Sequence, residues 1–165
     1  PRSMQAAARP SADPRELRVL LVDDDIFLLE LMVELLNTLG VTQVQVAHCG
    51  KEGLALYRKS SPAPTLVVCD LCMPGLDGME FLRQLAKEQC QADIVIVSGH
   101  NRTPPNDPGW ALSKYDGPVL HLAEKMARLQ GLRVRGSFEK PITRDKVLTM
   151  MEWVGHRSTA ASTTN

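Results

Sequence analysis

The sequence predicts an α/β fold, a five-stranded parallel sheet in the order 2-1-3-4-5 with helices on both faces. Two observations support this prediction. Five short apolar runs alternate with stretches in which apolar residues recur every three or four positions, the pattern of repeated strand–helix units. The first, third and fourth runs are almost continuously apolar, as in strands buried on both faces, whereas the second and fifth alternate with polar residues, as at sheet edges.

Each element has its own signal in the chain. The predicted strands are residues 17–22, 44–47, 65–69, 93–97 and 132–138. An apolar period of 3.6 that runs from Leu28 through Leu31 to Leu39 predicts the first helix, and Gly40 should end it. Further helices are predicted near 51–60, near 78–89, from about Val119 to Ala127 and over 147–154.

Composition limits the class of protein. The 165 residues suit one domain, which we expect over residues 16–156, with a disordered tail at 1–15 and a disordered tail or linker at 157–165. Nineteen basic and nineteen acidic residues balance, so nothing indicates direct nucleic-acid binding or an anionic membrane. There is no apolar run of membrane-spanning length and no signal peptide, and four cysteines are too few for a disulfide scaffold, so we expect a cytoplasmic protein.

Polar residues follow the predicted strands at the points where they end. Asp23 and Asp24 follow the first strand, Asp70 follows the third, Ser98 the fourth and Lys140 the fifth. Ligands of such sheets bind at the carboxyl ends of the strands, beside the switch between strands one and three. Clustered carboxylates resist joint ionisation without a cation, and oxygen ligands favour Mg²⁺. An aspartate beside Mg²⁺ can accept a phosphoryl group, so phosphoryl transfer is the predicted chemistry.

Four motifs carry a resemblance to a known family. "LLVDDD", "VVCDLCMPGLDG", "IVSG" and "EKPI", in this order, resemble the receiver domain of two-component response regulators, whose fold is flavodoxin-like (CheY-like). The resemblance implies that Asp70 is the phosphoacceptor and that Ser98 and Lys140 contact the phosphoryl group. It implies Mg²⁺ ligands at Asp23, Asp24, Asp70 and the backbone carbonyl of Cys72, with Asp24 a direct ligand. It also implies a cis bond between Lys140 and Pro141.

The resemblance further implies how the protein works. A sensor histidine kinase or phosphotransfer protein would supply the phosphoryl group, and autodephosphorylation would be the only reaction of this regulatory domain, which is not a conventional enzyme. Residues 122–142 are similar to receivers that precede EAL-type cyclic-di-GMP phosphodiesterase domains. A homodimer is left open.

The same residues allow other interpretations. An aspartyl-phosphate phosphatase of the haloacid-dehalogenase type requires a second aspartate two positions after the nucleophile, where this chain has Cys72. A pseudo-receiver that only docks proteins is disfavoured by the intact acidic pair and lysine. Cys69 and Cys72 form a C-x-x-C, but Cys69 lies inside a predicted strand, so it should be a buried structural residue rather than a redox or zinc group.

Some positions depart from the family or need separate explanation. Ser137 stands where receivers usually have an aromatic or bulky switch residue, with Phe138 beside it. His100 is a candidate modulator of dephosphorylation or an exposed loop residue. The stretch between Ser98 and Lys140 is longer than usual, and we expect its Pro- and Gly-rich part, 101–118, to be an exposed irregular insertion. Asp25 is expected to cap the first helix.

Overall fold

The computed structural model describes residues 13–73, 77–99 and 117–155, and it describes residues 117–119 and 155 by their backbone alone. A 3₁₀ turn at Pro14–Glu16 precedes the first strand. The elements that follow are β1 Arg18–Val22, α1 Ile26–Thr38, β2 Gln43–Ala47, α2 Gly50–Lys59, β3 Leu66–Asp70, α3 Gly78–Lys87, β4 Asp93–Ser98, α4 Gly117–Leu129, β5 Arg133–Glu139 and α5 Arg144–Gly155.

The five strands form one parallel sheet in the order β2-β1-β3-β4-β5, which confirms the predicted order and both edge assignments. Every residue of β3 and β4 is buried, whereas β2 and β5 alternate between covered and exposed positions. The register of β5 against β4 shifts by one residue: Ile94 pairs with Val134 but Val95 pairs with Gly136. Arg135 is therefore the extra residue of a β-bulge, and its Nε donates to Asp93 Oδ1 at 2.8 Å.

The sheet separates two apolar layers. On one face α2, α3 and α4 cover residues such as Leu20, Val67 and Ile94. On the other face α1 and α5 cover residues such as Val19 and Val68. Because side chains alternate along each strand, the two faces divide the strand residues between them, and the strands are held between helices on both sides.

The predicted elements all exist, with small errors at their ends. α4 begins at Gly117 rather than near Val119, and Pro118 is compatible with this because proline lacks only a hydrogen bond that the first turn of a helix does not make. In α1 the face was partly misassigned: Leu29 is buried, whereas the predicted core residue Leu31 is 45% exposed. Among the described residues, no helix combines the length and apolar character needed to cross a membrane.

Several predictions concern residues outside the described ranges. These are the terminal tails up to residue 12 and from 156 onward, His100, and the insertion up to residue 116. They stay predictions.

Candidate functional site

Three carboxylates meet at the carboxyl edge of the sheet. Val22 of β1 pairs with Cys69 of β3, so the next residues, Asp23 and Asp70, leave the sheet side by side. Carboxylate oxygens of Asp23, Asp24 and Asp70 lie within 4.8 Å of one another. The strand register alone therefore assembles the acidic cluster that the sequence predicted.

Asp70 is the least exposed aspartate of the candidate site. Only 2% of Asp70 is exposed. The residue is the last of β3, and its two oxygens are both engaged. Oδ1 accepts a hydrogen bond from the backbone N–H of Cys72 at 3.0 Å, and Oδ2 lies 3.2 Å from Lys140 Nζ. The carboxylate is thus held in one orientation by a backbone amide and an ammonium group.

Lys140 reaches the cluster from the end of β5. Its Nζ lies 2.9 Å from Asp23 Oδ2 and 3.2 Å from Asp70 Oδ2, and its side chain is 6% exposed. Its backbone N–H donates to the carbonyl of Ser98 at 2.6 Å, which ties the ends of β4 and β5 together. The peptide bond between Lys140 and Pro141 is cis, as the sequence implied.

Ser98 lies at the same edge. It is the last residue of β4, and its neighbour Val97 pairs with Asp70 in the sheet. Ser98 is 2% exposed. The structure therefore places Asp23, Asp24, Asp70, Ser98 and Lys140 at one end of the sheet, as predicted, although their individual roles in chemistry stay predictions.

Gly99 is a site residue that sequence reasoning missed. A Cβ added at this position would lie 2.7 Å and 2.8 Å from two carbons of the Lys140 side chain. Glycine is needed here because the lysine stem runs directly over the backbone toward the carboxylates. The available signal was a glycine immediately after a polar strand end.

The charges in this cluster perturb one another. Burial, reinforced by the negative charge of Asp23, raises the pKa of Asp70 to about 7 against the opposing effect of Lys140. Burial likewise raises the pKa of Asp23, although Lys140 and the N–H of Asp25 act in the other direction. For Lys140, burial alone would lower the pKa, but the charges of Asp70 and Asp23 outweigh it and raise the pKa. Lys140 is attracted by two carboxylates, whereas each buried carboxylate is attracted by one ammonium group and repelled by the other carboxylate. These interactions therefore stabilise the charged form of Lys140 more than the charged form of either aspartate.

These residues fit a divalent cation. Lys140 supplies a single positive charge to a cluster of three carboxylates, so negative charge remains in excess. The side-chain donors of the cluster are all oxygens, which hard cations such as Mg²⁺ prefer. Asp23, Asp24 and Asp70 could hold such an ion. The ligand role of the Cys72 carbonyl stays a prediction.

Neighbouring residues have other functions. The side chain of Asp25 accepts a hydrogen bond from Leu28 N–H at 3.2 Å, which confirms that it caps α1. Neither Cys69 nor Cys72 is part of a disulfide bond; Cys69 is buried and Cys72 is exposed. Burial, with the charges of Asp70 and Asp23, raises the pKa of Cys69 well above its usual range, so this thiol is a poor nucleophile at neutral pH.

Ser137 and Phe138 face opposite sides of the sheet. Ser137 pairs with Ile96, a residue of the layer under α2, α3 and α4. Phe138 pairs with Val97 and packs in the layer under α1 and α5. The aromatic ring near the lysine is therefore on the α5 side, and Ser137 is on the opposite side.

Comparison with known proteins agrees with this geometry. The sequence model of the response regulator receiver domain matches residues 19–107. The transcriptional regulatory protein TrcR of Mycobacterium tuberculosis is 32% identical over 133 residues, which cover 79% of this chain and 51% of TrcR. The chemotaxis protein CheY of Treponema pallidum is 32% identical over 93 residues, which cover 56% of this chain and 63% of CheY. The chain thus spans less than two thirds of either relative.

Solved structures share the fold. A receiver domain protein from Clostridium thermocellum superposes with a TM-score of 0.66 at 23% identity, covering 86% of this chain and 95% of that one. CheY in a CheX–CheY–BeF₃–Mg²⁺ complex from Borrelia burgdorferi superposes with a TM-score of 0.63 at 23% identity, covering 84% of this chain and 94% of that one. The five-stranded sheet and its surrounding helices are therefore common to these proteins and this chain.

Proposed function

The chain belongs to the response regulator receiver domain family, which acts in phosphorylation-dependent signalling, and from this premise we propose that Asp70 is its phosphoacceptor. One observation carries the proposal. Asp70 lies at the end of β3 with one oxygen fixed by the Cys72 N–H and the other by Lys140, beside two further carboxylates. A nucleophile held in this way loses little orientational freedom when a phosphoryl donor arrives.

The proposed reaction is a transfer between histidine and aspartate. A carboxylate oxygen of Asp70 attacks the phosphorus of a phosphohistidine, and the P–N bond breaks. The electron pair of that bond stays on the imidazole nitrogen, which takes up a proton. The Ser98 hydroxyl then donates a hydrogen bond to one phosphoryl oxygen, and the Lys140 ammonium pairs with another. Attack by water on the acyl phosphate returns Asp70 and inorganic phosphate, and we propose no further catalytic activity.

Mg²⁺ is the proposed cofactor, held by Asp23, Asp24 and Asp70 with the Cys72 carbonyl. When bound, the ion would neutralise negative charge on the carboxylates and on the phosphoryl oxygens. The raised pKa of Asp70 supports this assignment, because a carboxyl group that resists ionisation needs additional positive charge to act as a nucleophile at neutral pH. The related fold from B. burgdorferi is described in a complex that contains BeF₃ and Mg²⁺.

We propose a sensor histidine kinase or phosphotransfer protein as the donor. The start of α1 lies next to the acidic cluster and exposes Ile26 (56%), Phe27 (84%) and Leu31. Apolar side chains of this size on the surface indicate a protein contact, and a donor that reaches Asp70 would pass over them. A cytoplasmic location and an EAL-type output are part of the same proposal, the latter supported by the sequence of residues 122–142.

Phosphoryl labelling tests the proposal. Wild-type protein treated with acetyl phosphate and Mg²⁺ should gain the mass of one phosphoryl group, and EDTA should prevent this. Asp70→Asn should gain none. Asp25→Asn is the matched control, since it removes a neighbouring carboxylate that caps α1 and asparagine can replace it as a cap, so its labelling should equal that of wild type. Labelling of Asp70→Asn, or no labelling of wild type, would contradict the assignment.

A further inference from the structure

The end of β5 is attached to α5 directly beside Lys140. Lys146 of α5 donates from its Nζ to the carbonyl of Glu139 at 2.6 Å and to the carbonyl of Pro141 at 2.8 Å. These two carbonyls flank Lys140 in the chain. One ammonium group on α5 therefore holds the short backbone segment from which the Lys140 side chain extends.

A second contact joins the same two elements further along α5. The rings of Phe138 and Trp153 stack with their centroids 4.7 Å apart and their planes at 11°. Gly136 makes this possible, because a Cβ there would lie 2.5 Å from a carbon of the Trp153 indole. Lys146 and Trp153 are seven residues apart, about two helical turns, so they lie on the same side of α5. Both contact residues 136–141.

These contacts connect the backbone on either side of Lys140 to α5. Its Nζ is shared by Asp23 and Asp70, and a phosphoryl group on Asp70 would offer it new acceptor oxygens. A movement of Lys140 toward these oxygens that displaces its backbone would also displace residues 139–141. Because that segment is bonded to Lys146 and follows Phe138, such a displacement would reach α5. Ser137, on the other side of β5, has no ring with which to transmit a change toward α4.

We propose that α5 reports the phosphorylation state of the site, through Lys146 and the Phe138–Trp153 stack, in place of an aromatic residue at position 137. Lys146 is then a positioning residue for Lys140. The inference rests on the proposed function, and the two are tested by different readouts.

The experiment uses the 165-residue chain with Trp110→Phe, which leaves Trp153 as its single tryptophan. Acetyl phosphate and Mg²⁺ are added, and intact mass gives the labelled fraction while fluorescence and the indole N–H resonance follow Trp153. We expect the Trp153 signal to shift in proportion to the labelled fraction. Complete labelling with an unchanged Trp153 signal would overturn the inference and leave the proposed function standing. Failure to label would overturn both.

Variants of Lys146 and Phe138 test whether these two residues connect Lys140 to Trp153. Lys146→Met keeps the aliphatic stem but loses both hydrogen bonds, so the Trp153 response per labelled molecule should fall at least about twofold. Lys146→Arg should restore it, and Lys125→Met, at an exposed position on α4, should not change it. Phe138→Leu removes the stack without touching Lys146, and it should abolish the response while labelling continues. A full response in both Lys146→Met and Phe138→Leu would refute the route through α5.

Discussion

Three consecutive aspartates illustrate how one residue type acquires different roles within a few ångströms. Asp23 is buried and paired with Lys140, Asp24 is half-buried at the cluster, and Asp25 turns away to cap α1. The difference follows from the backbone: β1 ends before Asp23 and α1 begins after Asp25, so each side chain leaves the turn in its own direction.

The first prediction separates Asp24 from Asp25. Asp24→Ala should weaken Mg²⁺ binding at least about tenfold, because it removes a carboxylate of the oxygen cluster. Asp25→Ala should leave Mg²⁺ affinity nearly unchanged and instead reduce the free energy of unfolding by about 1 kcal/mol, the usual cost of losing a helix cap. Calorimetric titration with Mg²⁺ and urea unfolding measure the two effects. The opposite ranking of Mg²⁺ affinities would place the metal site one residue further along the chain.

The second prediction concerns Gly99. Gly99→Ala should destabilise the fold by about 1–3 kcal/mol and slow labelling of Asp70, because the added methyl group would collide with the Lys140 stem. The double variant Gly99→Ala with Lys140→Ala removes the collision, so its loss of stability should be smaller than the sum of the two single losses. Urea unfolding of all four proteins completes the cycle. Strict additivity would show that Gly99 is not needed for the lysine.

At the scale of elements, the close approach of α3 to β3 is fixed by its first residue. A Cβ at Gly78 would lie 2.5 Å from the Leu71 Cα, a backbone atom that cannot move without displacing the end of β3. Leu71, which α3 approaches so closely, directly follows Asp70 in the chain. The position of this helix and the position of Asp70 are therefore set together.

We therefore predict that Gly78→Ala destabilises the protein by about 3 kcal/mol, even though alanine is the better helix former. Gly53→Ala on α2 is the matched control. Its added methyl group would meet side-chain carbons of Phe81 and Val22 at 3.0 Å, a longer distance than the backbone contact at position 78, so its cost should be smaller. Thermal unfolding of both variants at one pH makes the comparison. Equal losses would mean that contact with backbone atoms is not what limits position 78.

The sequence predicted the elements correctly where burial on both faces alone determines the pattern of apolar residues. β3 and β4 are buried throughout, as their apolar runs predicted. In α1 apolar residues lie both on the buried face and on the exposed surface. Leu31 continues the apolar period but is exposed beside Phe27, so a period of 3.6 alone could not show which leucines face the sheet. Because α1 also has exposed apolar residues, the apolar pattern of its sequence does not identify the face that packs against the sheet.

At the scale of the whole molecule, the site was largely predictable because parallel strands end at one edge. Asp23, Asp70 and Lys140 come together from the strand order alone. The supporting contacts were not predictable. Whether Lys146 meets the carbonyls beside Lys140, or Trp153 meets Phe138, depends on the height and rotation of α5 against the sheet, which no spacing in the sequence records.

The last prediction concerns the stability of the whole fold and its dependence on pH. The pKa of Asp70 rises on folding from an ordinary value of 3.8 to about 7, so the folded protein binds this proton more tightly than the unfolded chain. Without Mg²⁺, the contribution of Asp70 to stability should therefore decrease as the pH rises from about 4 to about 7. Asp70→Asn lacks this penalty and should be more stable than wild type by about 1–3 kcal/mol at pH 8.

Urea unfolding of both proteins at several pH values tests this. The advantage of Asp70→Asn should shrink toward pH 4, where the wild-type carboxyl group is protonated in the folded state and partly protonated in the unfolded chain. Saturating Mg²⁺ at pH 8 should also reduce it, because a cation stabilises the charged carboxylate of wild type alone. An advantage that is the same at pH 4 and pH 8 would show that burial of the charge is not its source.

The bulge at Arg135 bears on how the molecule avoids unwanted association. A strand at the edge of a sheet exposes unpaired backbone groups that a strand of another chain can join. On β5 the bulge interrupts the regular spacing of those groups, and the exposed Arg133 adds positive charge at the start of the strand. β2 has no such protection within its five residues, where Gln43 and Gln45 are exposed and uncharged. A sheet extended from one copy to the next would therefore grow from β2, and β5 would remain its closed end.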